Sequence, residues 1–235
     1  MNNSSNTPLV SVVMAVYNGE PFVRKTIESV LLQTYSNFEF IIINDGSKDS
    51  SLDTIASFKD PRIRCISRKN KGLTPSLNEG LRAAQGTYIA RIDADDIALP
   101  SRLETQVAFL ETHPHIGLLG TWAYIIDENG NKKGMYTLPH AHKKIQRMMF
   151  WHNPFIHPSV MFPRAILDTV GFYNENFRYA QDYEYWSRII KKYEVANLGE
   201  PLLLYRVFSE SMTRAKKNAM RWEGIKIRFK YLFSK

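Results

Sequence analysis

Three carboxylates lie within four positions of the stretch YIARIDADDIALPSR, which covers residues 88–102. Asp93, Asp95 and Asp96 directly follow a run of residues with the composition of a buried strand. Carboxylates this close repel one another, and their burial is costly unless water or a cation neutralises them. Mg²⁺ and Mn²⁺ prefer oxygen ligands and often bind one or two carboxylates together with substrate phosphates. The spacing therefore predicts a divalent metal site that a diphosphate completes.

Polar residues also follow the first and second predicted strands, as YNGE at 17–20 and NDGS at 44–47. Ligands of open α/β sheets bind beyond the carboxyl ends of the strands, so we expect all three clusters to face one crevice. Each cluster alone has a structural alternative, because NG and DG are common turns and because Asp45 or Asp96 would serve as a helix cap. One cap needs one acid, so this alternative leaves Asp93 and Asp95 together unexplained.

The usual phosphate-binding loops are absent, since the sequence contains neither GxxxxGKS/T nor GxGxxG. A nucleoside diphosphate bridged by a metal is therefore favoured over a nucleotide held by such a loop.

The elements that would position these clusters alternate along the first half of the chain. Helical patterns begin near Pro21, Leu73 and Pro100. Strands are predicted at 9–16, 38–44, 62–67, 88–93 and 116–127. This alternation indicates βαβ units and a mostly parallel sheet with helices on both faces.

The second half has a different pattern. Helices are predicted at 141–150 and 181–193, strands at 157–163 and 200–207, and a turn-rich connection at 128–134. No segment rich in Pro, Gly or Ser separates the halves, so one continuous domain is expected.

The composition is typical of a globular protein, with 235 residues, 44% hydrophobic and 23% charged. The longest apolar run, Ile116 to Ile126, is too short to span a bilayer. The first eight residues are polar and uncharged, which is unlike a secretory signal, and they are expected to be disordered. Because Cys65 is the only cysteine, a cytoplasmic location is expected.

Basic residues concentrate at the C-terminal end. Residues 206–235 contain nine Lys or Arg against two Glu, a net charge of +7 out of the +8 of the whole chain. Within the segment 207–235, an apolar stripe is predicted on one helix face, formed by Trp222, Ile225, Phe229 and Leu232 or Phe233. A basic helix with aromatic residues suits an anionic membrane surface, here the inner face of the plasma membrane. The alternative is that the stripe docks on the rest of the protein.

Four segments together resemble the family 2 glycosyltransferases, which are inverting nucleotide-sugar enzymes with the GT-A fold. The segments are VSVVMAVYNGE, IIINDGSKDSS, NKGLTPSLNEGLRAAQGTYIARIDADDIALPSRLE and QDYEYWSRI. The resemblance runs from about Val10 to Arg206 and implies a single GT-A catalytic domain at 9–206. It implies a Rossmann-like nucleotide-sugar half at 9–115 and a smaller acceptor half at 116–206.

The resemblance also implies roles for individual residues. Asp95 is expected to be the main metal ligand, for Mg²⁺ or Mn²⁺, with Asp93 beside it. The expected nucleotide-sugar-binding residues are Ala15, Tyr17, Glu20, Asp45, Arg91, Asp93 and Ala94. Tyr17 is expected to stack on the base, and Asp45 to contact the nucleoside.

An inverting transferase also needs a general base for the acceptor hydroxyl. The family usually supplies it from an acid pair, which here reads Gln181-Asp182, so Asp182 is the predicted base and Glu184 the substitute. His157, Gln181 and Arg206 are expected to line the acceptor side. Phe208 stands where relatives commonly have His, which removes a diphosphate contact of that kind.

The leading prediction is a metal-dependent inverting glycosyltransferase that moves a sugar, most favourably from UDP, to a hydroxyl of a glycan or lipid-linked acceptor in bacterial-type surface polysaccharide assembly. A sugar-nucleotide nucleotidyltransferase is a second possibility, although AVYNGEPF lacks the Gly-rich basic loop expected after its first strand. A third is a non-catalytic basic protein that binds nucleic acid through residues 206–235, which leaves the acidic clusters unexplained. Nucleic acid is therefore not an expected partner.

Overall fold

The computed structural model describes residues 8–208 and 217–233. The predicted disorder at 1–8 falls almost wholly on residues outside this description. The strands are β1 (Val10–Val16), β2 (Phe38–Asn44), β3 (Ile63–Ser67), β4 (Tyr88–Arg91), β5 (Ile97–Ala98), β6 (Ile116–Ile126), β7 (Lys132–Tyr136), β8 (Met161–Pro163) and β9 (Glu194–Arg206). The helices are α1 (Val23–Leu31), α2 (Ser51–Ser57), α3 (Leu73–Ala83), α4 (Arg102–Thr112), α5 (His142–Met148), α6 (Ile166–Val170), α7 (Gln181–Ile189) and α8 (Lys217–Phe233).

One sheet carries the predicted site, with strand order β3-β2-β1-β4-β8-β6-β9-β5 and with β7 paired to β6. The part formed by β3, β2, β1 and β4 is parallel, as predicted. Its register sets Val16 opposite Asn44 and Val13 opposite Arg91. The residues that follow β1, β2 and β4 therefore reach the same edge of the sheet.

The second half makes the sheet mixed. Strand β8 is antiparallel to both β4 and β6, while β6 and β9 are parallel. Strands β5 and β7 pair antiparallel with β9 and β6. The predicted α/β class is thus confirmed, and the predominantly parallel pairing belongs to the first half.

Helices cover both faces of the sheet. Val13 and Met14 are consecutive in β1 and therefore point to opposite faces. Met14 packs in one buried cluster with residues of α1 and α4, and Val13 packs in the other with residues of α3 and α7. The run Ile41–Ile43 is fully buried, as a central parallel strand requires.

Three elements differ from the sequence prediction for local reasons. Residues 157–163 form a 3₁₀ turn at His157–Ser159 before β8, because Pro158 lacks an N–H and the Ser159 hydroxyl bonds the Ile156 carbonyl at 2.8 Å. The turn after β6 is followed by β7, whose five residues are all exposed and carry no apolar alternation. Strand β9 begins at Glu194 rather than 200, and an irregularity in its pairing with β6 accommodates Pro201.

Helix α8 packs on α7 through one face. Ile227 is buried in the same apolar cluster as Tyr183 and Trp186 of α7. Trp222 and Phe229, on the predicted stripe, are 69% and 61% exposed. Among the described helices, none has both the length and the apolar composition needed to cross a bilayer.

Candidate active site

The three predicted acids form one cluster after β4. One carboxylate oxygen from each of Asp93, Asp95 and Asp96 lies within 4.8 Å of the others. Burial, and then the charge of Asp93, raises the pKa of Asp95 to about 7. Burial, and then the charge of Asp95, raises the pKa of Asp96 well above its ordinary value. Asp96 Oδ2 is buried and has no hydrogen-bond partner among the described residues. An all-oxygen set with an unpartnered buried oxygen fits a hard divalent cation.

Thr26 and Arg206 hold the acidic loop in place. The Thr26 hydroxyl lies 2.9 Å from the Ala94 carbonyl and 2.7 Å from the Asp96 carbonyl. The Arg206 backbone N–H donates to Asp96 Oδ1 at 2.7 Å, and Arg206 Nε donates to the Asp95 carbonyl at 2.8 Å. Asp96 therefore ties the loop to β9 and does not cap α4. Thr26 has no motif that sequence analysis could have recognised.

The buried Arg206 guanidinium has a structural task in this arrangement. In addition to the bond from Nε to the Asp95 carbonyl, Arg206 Nη1 donates to the carbonyls of Asp127 and Glu128 at 2.7 and 2.9 Å. The guanidinium also lies over the Phe22 ring, 4.5 Å from its centroid. Arg206 thus joins the acidic loop to the turn after β6, and its contact with an acceptor stays a prediction.

Arg91 is the buried cation beside the cluster. It is 3% exposed and forms an ion pair with Asp93. Its Nε and Nη1 atoms have no hydrogen-bond partner among the described residues. Two donors of a buried guanidinium are therefore available to a bound ligand, which is consistent with the predicted donor-site role.

Asp45 directly follows β2, and its carboxylate is held by backbone and side-chain donors. Its carboxylate accepts the backbone N–H groups of Lys71 and Gly72, both at 2.8 Å, and pairs with Arg68. Asp45 thus does not cap α2, which begins at Ser51. Gly46 has φ +73°, and a Cβ there would lie 2.7 Å from the Asn70 nitrogen, so the NDGS turn packs directly on the 68–70 backbone. Sequence analysis missed Arg68, which carries no motif of its own.

The other predicted nucleotide-sugar-binding residues lie in or after β1 or in the acidic loop. The Asp45 N–H donates to the Val16 carbonyl at 2.8 Å, which brings Tyr17 next to it in space, and the Tyr17 side chain is 49% exposed. Ala15 and Ala94 are partly buried. The Glu20 carboxylate accepts the Ser50 N–H at 3.2 Å and the Ser50 hydroxyl at 2.8 Å, so it holds the start of α2.

The predicted base, Asp182, is the second residue of α7. Its Oδ2 accepts a hydrogen bond from Asn153 Nδ2 at 2.6 Å, and its Oδ1 accepts the Tyr183 N–H at 2.7 Å. Burial raises the pKa of Asp182 to about 6. The carboxylate is therefore ionised at neutral pH and more basic than a free aspartate. Asn153 is a further residue that the sequence did not reveal.

Glu184, the substitute base, has a different environment. It is 1% exposed and accepts hydrogen bonds from Arg188 Nε at 3.0 and 3.1 Å. Arg188 also donates to the Phe172 carbonyl at 2.7 Å. This fixed ion pair favours Asp182 as the base.

Gln181 is the buried first residue of α7, and the half-buried His157 packs against this helix. His157 Nε2 lies 3.0 Å from the Tyr173 hydroxyl, and the His157 ring packs edge-on against Trp186. Burial lowers the pKa of His157 well below its ordinary value, so the imidazole is neutral. Gln181 Oε1 is buried without a partner among the described residues.

The predicted metal site and the predicted base, Asp182, are both influenced by the charge of Arg91. The positive charge of Arg91 lowers the pKa of both Asp95 and Asp182, although burial outweighs it at each residue. The structure therefore brings the acidic cluster and the predicted base within electrostatic reach of the same guanidinium.

Residues 11–171 match the family model described as Glycosyl transferase family 2. The chain belongs to this family. A protein of Haemophilus influenzae described as an uncharacterized glycosyltransferase is 40% identical over 215 residues, which are 86% of this chain and 66% of that protein. The amylovoran biosynthesis glycosyltransferase AmsE of Erwinia amylovora is 32% identical over 214 residues, 88% of this chain and 80% of AmsE. Family membership sets aside the nucleotidyltransferase alternative, whereas the nucleic-acid-binding alternative concerns residues 206–235, outside the matched residues.

Two solved structures share the fold of this glycosyltransferase. S. aureus TarS 1–349 in complex with UDP-GlcNAc gives a TM-score of 0.75 at 18% identity, covering 96% of this chain and 65% of that one. The mannosyltransferase PcManGT from Pyrobaculum calidifontis, in complex with GDP-Man and Mn²⁺, gives 0.70 at 17% identity, covering 98% and 66%. The predicted GT-A-type fold is confirmed. The chain spans about two thirds of the length of the H. influenzae protein and of both structures.

Proposed function

We propose that this family 2 glycosyltransferase transfers a sugar, with inversion, from a UDP-sugar to a hydroxyl of a glycan or lipid-linked acceptor. The observation that carries the proposal is the pairing of an all-carboxylate cluster with a half-buried, oriented Asp182, both within electrostatic reach of Arg91. The UDP-GlcNAc complex of TarS supports the choice of donor. The name of AmsE supports a place in surface polysaccharide assembly.

The donor half binds the nucleoside diphosphate. The exposed Tyr17 ring offers a stacking surface for the base, and Asp45 with Arg68 offers paired polar contacts to it. Asp93, Asp95 and Asp96 would hold Mg²⁺ or Mn²⁺, which when bound neutralises negative charge on the departing diphosphate. Arg91 contributes a second positive charge at the same place through its unpartnered donors.

The acceptor half supplies the base. The acceptor oxygen attacks the anomeric carbon from the face opposite the diphosphate, the bond from that carbon to the diphosphate oxygen breaks, and Asp182 takes the hydroxyl proton. Asn153 fixes the carboxylate, so one Asp182 oxygen is held at a defined position for that transfer. His157, Gln181 and Arg206 complete the acceptor side.

The outer face of α8 binds an anionic membrane surface at the inner face of the plasma membrane. Trp222 and Phe229 are exposed, and Arg221 and Lys226 are exposed beside them. Burial of the inner face against α7 leaves this outer face available, so docking and membrane binding are compatible.

A donor panel tests the proposal. Thermal stabilisation and hydrolysis should be measured with UDP-GlcNAc, UDP-glucose, UDP-galactose and GDP-mannose, each with Mn²⁺ and with EDTA. One UDP-sugar should stabilise the protein in Mn²⁺ only, and Asp95→Asn should remove the effect while Asp53→Asn, an exposed change in α2, should not. Equal stabilisation in EDTA and in Mn²⁺, or stabilisation by the GDP-sugar alone, would contradict the proposal.

A further inference from the structure

A single carboxylate from α8 caps the segment that carries the proposed base. Glu223 Oε1 accepts the Arg178 N–H at 3.1 Å, and Glu223 Oε2 accepts the N–H groups of Tyr179 and Ala180 at 3.0 and 2.8 Å. These three residues directly precede α7, and Asp182 is its second residue. The N–H groups at a helix start lack intrahelical partners and form its positive end, so a carboxylate is a favourable partner there.

The same helix also contacts the segment that orients Asp182 from the other side. Arg228 Nη1 donates to the Trp151 carbonyl at 3.4 Å, two residues before Asn153. Ile227 packs in the apolar cluster that contains Tyr183. Helix α8 therefore contacts both chain segments whose side chains meet in the bond from Asn153 to Asp182.

We propose that Glu223 is a positioning residue for Asp182, acting through the backbone of residues 178–180. The inference rests on the proposed role of Asp182 as the base. Loss of the Glu223 carboxylate frees three N–H groups and loosens the start of α7. A misplacement of about 1 Å at a reacting group is enough to lower a rate by about 100-fold.

The variants Glu223→Gln and Glu223→Asp test this, with Glu200→Gln, an exposed site on β9, as the matched control. The assay is UDP release in Mn²⁺ from the UDP-sugar of the panel that turns over fastest, with water as acceptor. For Glu223→Gln we expect kcat to fall by about 10-fold or more, with KM for the donor changed less than about 2-fold, since the donor half is untouched. Glu223→Asp keeps the charge and should recover part of the loss, and Glu200→Gln should match the wild type.

The pH profile separates positioning from general damage. Among the described residues, Arg91, Tyr136 and Tyr173 interact electrostatically with Asp182. If the start of α7 loosens, Asp182 becomes more hydrated and the acidic limb of the kcat profile should move to lower pH. A fall in kcat with an unmoved limb and a lower melting temperature would mean that Glu223 is only structural.

A double-mutant cycle provides the second discriminating measurement. In an Asp182→Asn background, Glu223→Gln should have no further effect on the residual rate, because its route to the chemistry is gone. An additive loss would overturn the proposal. A fully active Asp182→Asn variant would overturn the base assignment and this inference with it. An inactive Asp182→Asn with a wild-type Glu223→Gln would overturn this inference alone.

Discussion

Asn153 Nδ2 lies 2.6 Å from Asp182 Oδ2 and joins the segment after α5 to the start of α7. This bond and the Tyr183 N–H leave the half-buried Asp182 carboxylate with a fixed orientation. The burial that raises its pKa to about 6 gives a base that is ionised at pH 7 yet retains proton affinity.

Replacement of Asp182 by Asn should remove that basicity and keep the size of the side chain. We expect kcat to fall about 10²–10⁴-fold, with donor binding little changed. In the wild type, the rate should rise with pH through about 6 as Asp182 ionises. Glu184→Gln is the comparison, because Glu184 is held by Arg188 and should affect stability more than chemistry. An inactive Glu184→Gln variant together with an active Asp182→Asn variant would show that Glu184, and not Asp182, is the base.

Asn153→Ala should change the pH profile in a defined direction. The hydrogen bond from Asn153 lowers the pKa of Asp182, so its loss should raise that pKa further. The acidic limb of the rate profile should therefore move to higher pH, and kcat at pH 7 should fall by about 10-fold. Asn129→Ala, in the exposed turn after β6, is the control and should leave the limb in place. An unmoved limb in Asn153→Ala would show that the bond does not tune the base.

The acidic cluster should make the metal-free protein less stable as pH rises. The folded-state pKa of Asp95 is raised to about 7 and that of Asp96 is raised well above 3.8, so the native state binds more protons than the unfolded state between about pH 4 and 7. The free energy of unfolding should therefore fall across that window. Asp95→Asn should reduce the slope, and Asp53→Asn should not. Mn²⁺ at pH 7 should restore stability by binding the native state. Urea denaturation at several pH values measures this, and a flat profile for the metal-free wild type would contradict it.

Arg206→Lys should damage the acidic loop even though it keeps the charge. A lysine ammonium cannot reach the three carbonyls that the guanidinium bonds, which belong to Asp95, Asp127 and Glu128. We expect the free energy of unfolding to fall by about 2 kcal/mol or more and Mn²⁺ affinity to fall with it. Arg64→Lys, at an exposed position of β3, is the control. Wild-type stability and Mn²⁺ binding in Arg206→Lys would show that the acidic loop keeps its conformation without the guanidinium of Arg206.

Sequence patterns predicted β1, β2 and β4 because these strands are buried on both faces. The bounds of β2 agree with the predicted 38–44, and β1 differs from its prediction by one residue. Strand β7 was missed because all of its side chains are exposed, and strand β5 because it has only two residues. Asp45 and the acids at 93–96 were visible in the sequence because they follow recognisable strands, and Asp182 was visible through the resemblance to the acid pair of the family.

The partners of those acids were not visible, because they come from distant parts of the chain. Arg68 lies 23 residues from Asp45, and Asn153 lies 29 residues from Asp182. Arg206, predicted on the acceptor side, contacts backbone carbonyls about 110 and 79 residues away, which only the tertiary fold brings together. Local patterns carry no information on such contacts.

The outer face of α8 should bind anionic vesicles through its aromatic residues and its charge together. Trp222 and Phe229 are exposed, and the 206–235 segment carries most of the net charge of the chain. Each basic residue near an anionic surface contributes about 1 kcal/mol, and salt screens this attraction.

The double variant Trp222→Ala with Phe229→Ala should weaken co-sedimentation with phosphatidylserine-containing vesicles by about 10-fold or more at low salt. Leu32→Ala, which removes a 72% exposed apolar side chain directly after α1, should bind as the wild type does. Binding should be absent with neutral phosphatidylcholine vesicles and should decrease between about 0.05 and 0.5 M salt. If the double variant binds as tightly as Leu32→Ala, the exposed face of α8 does not contact lipid.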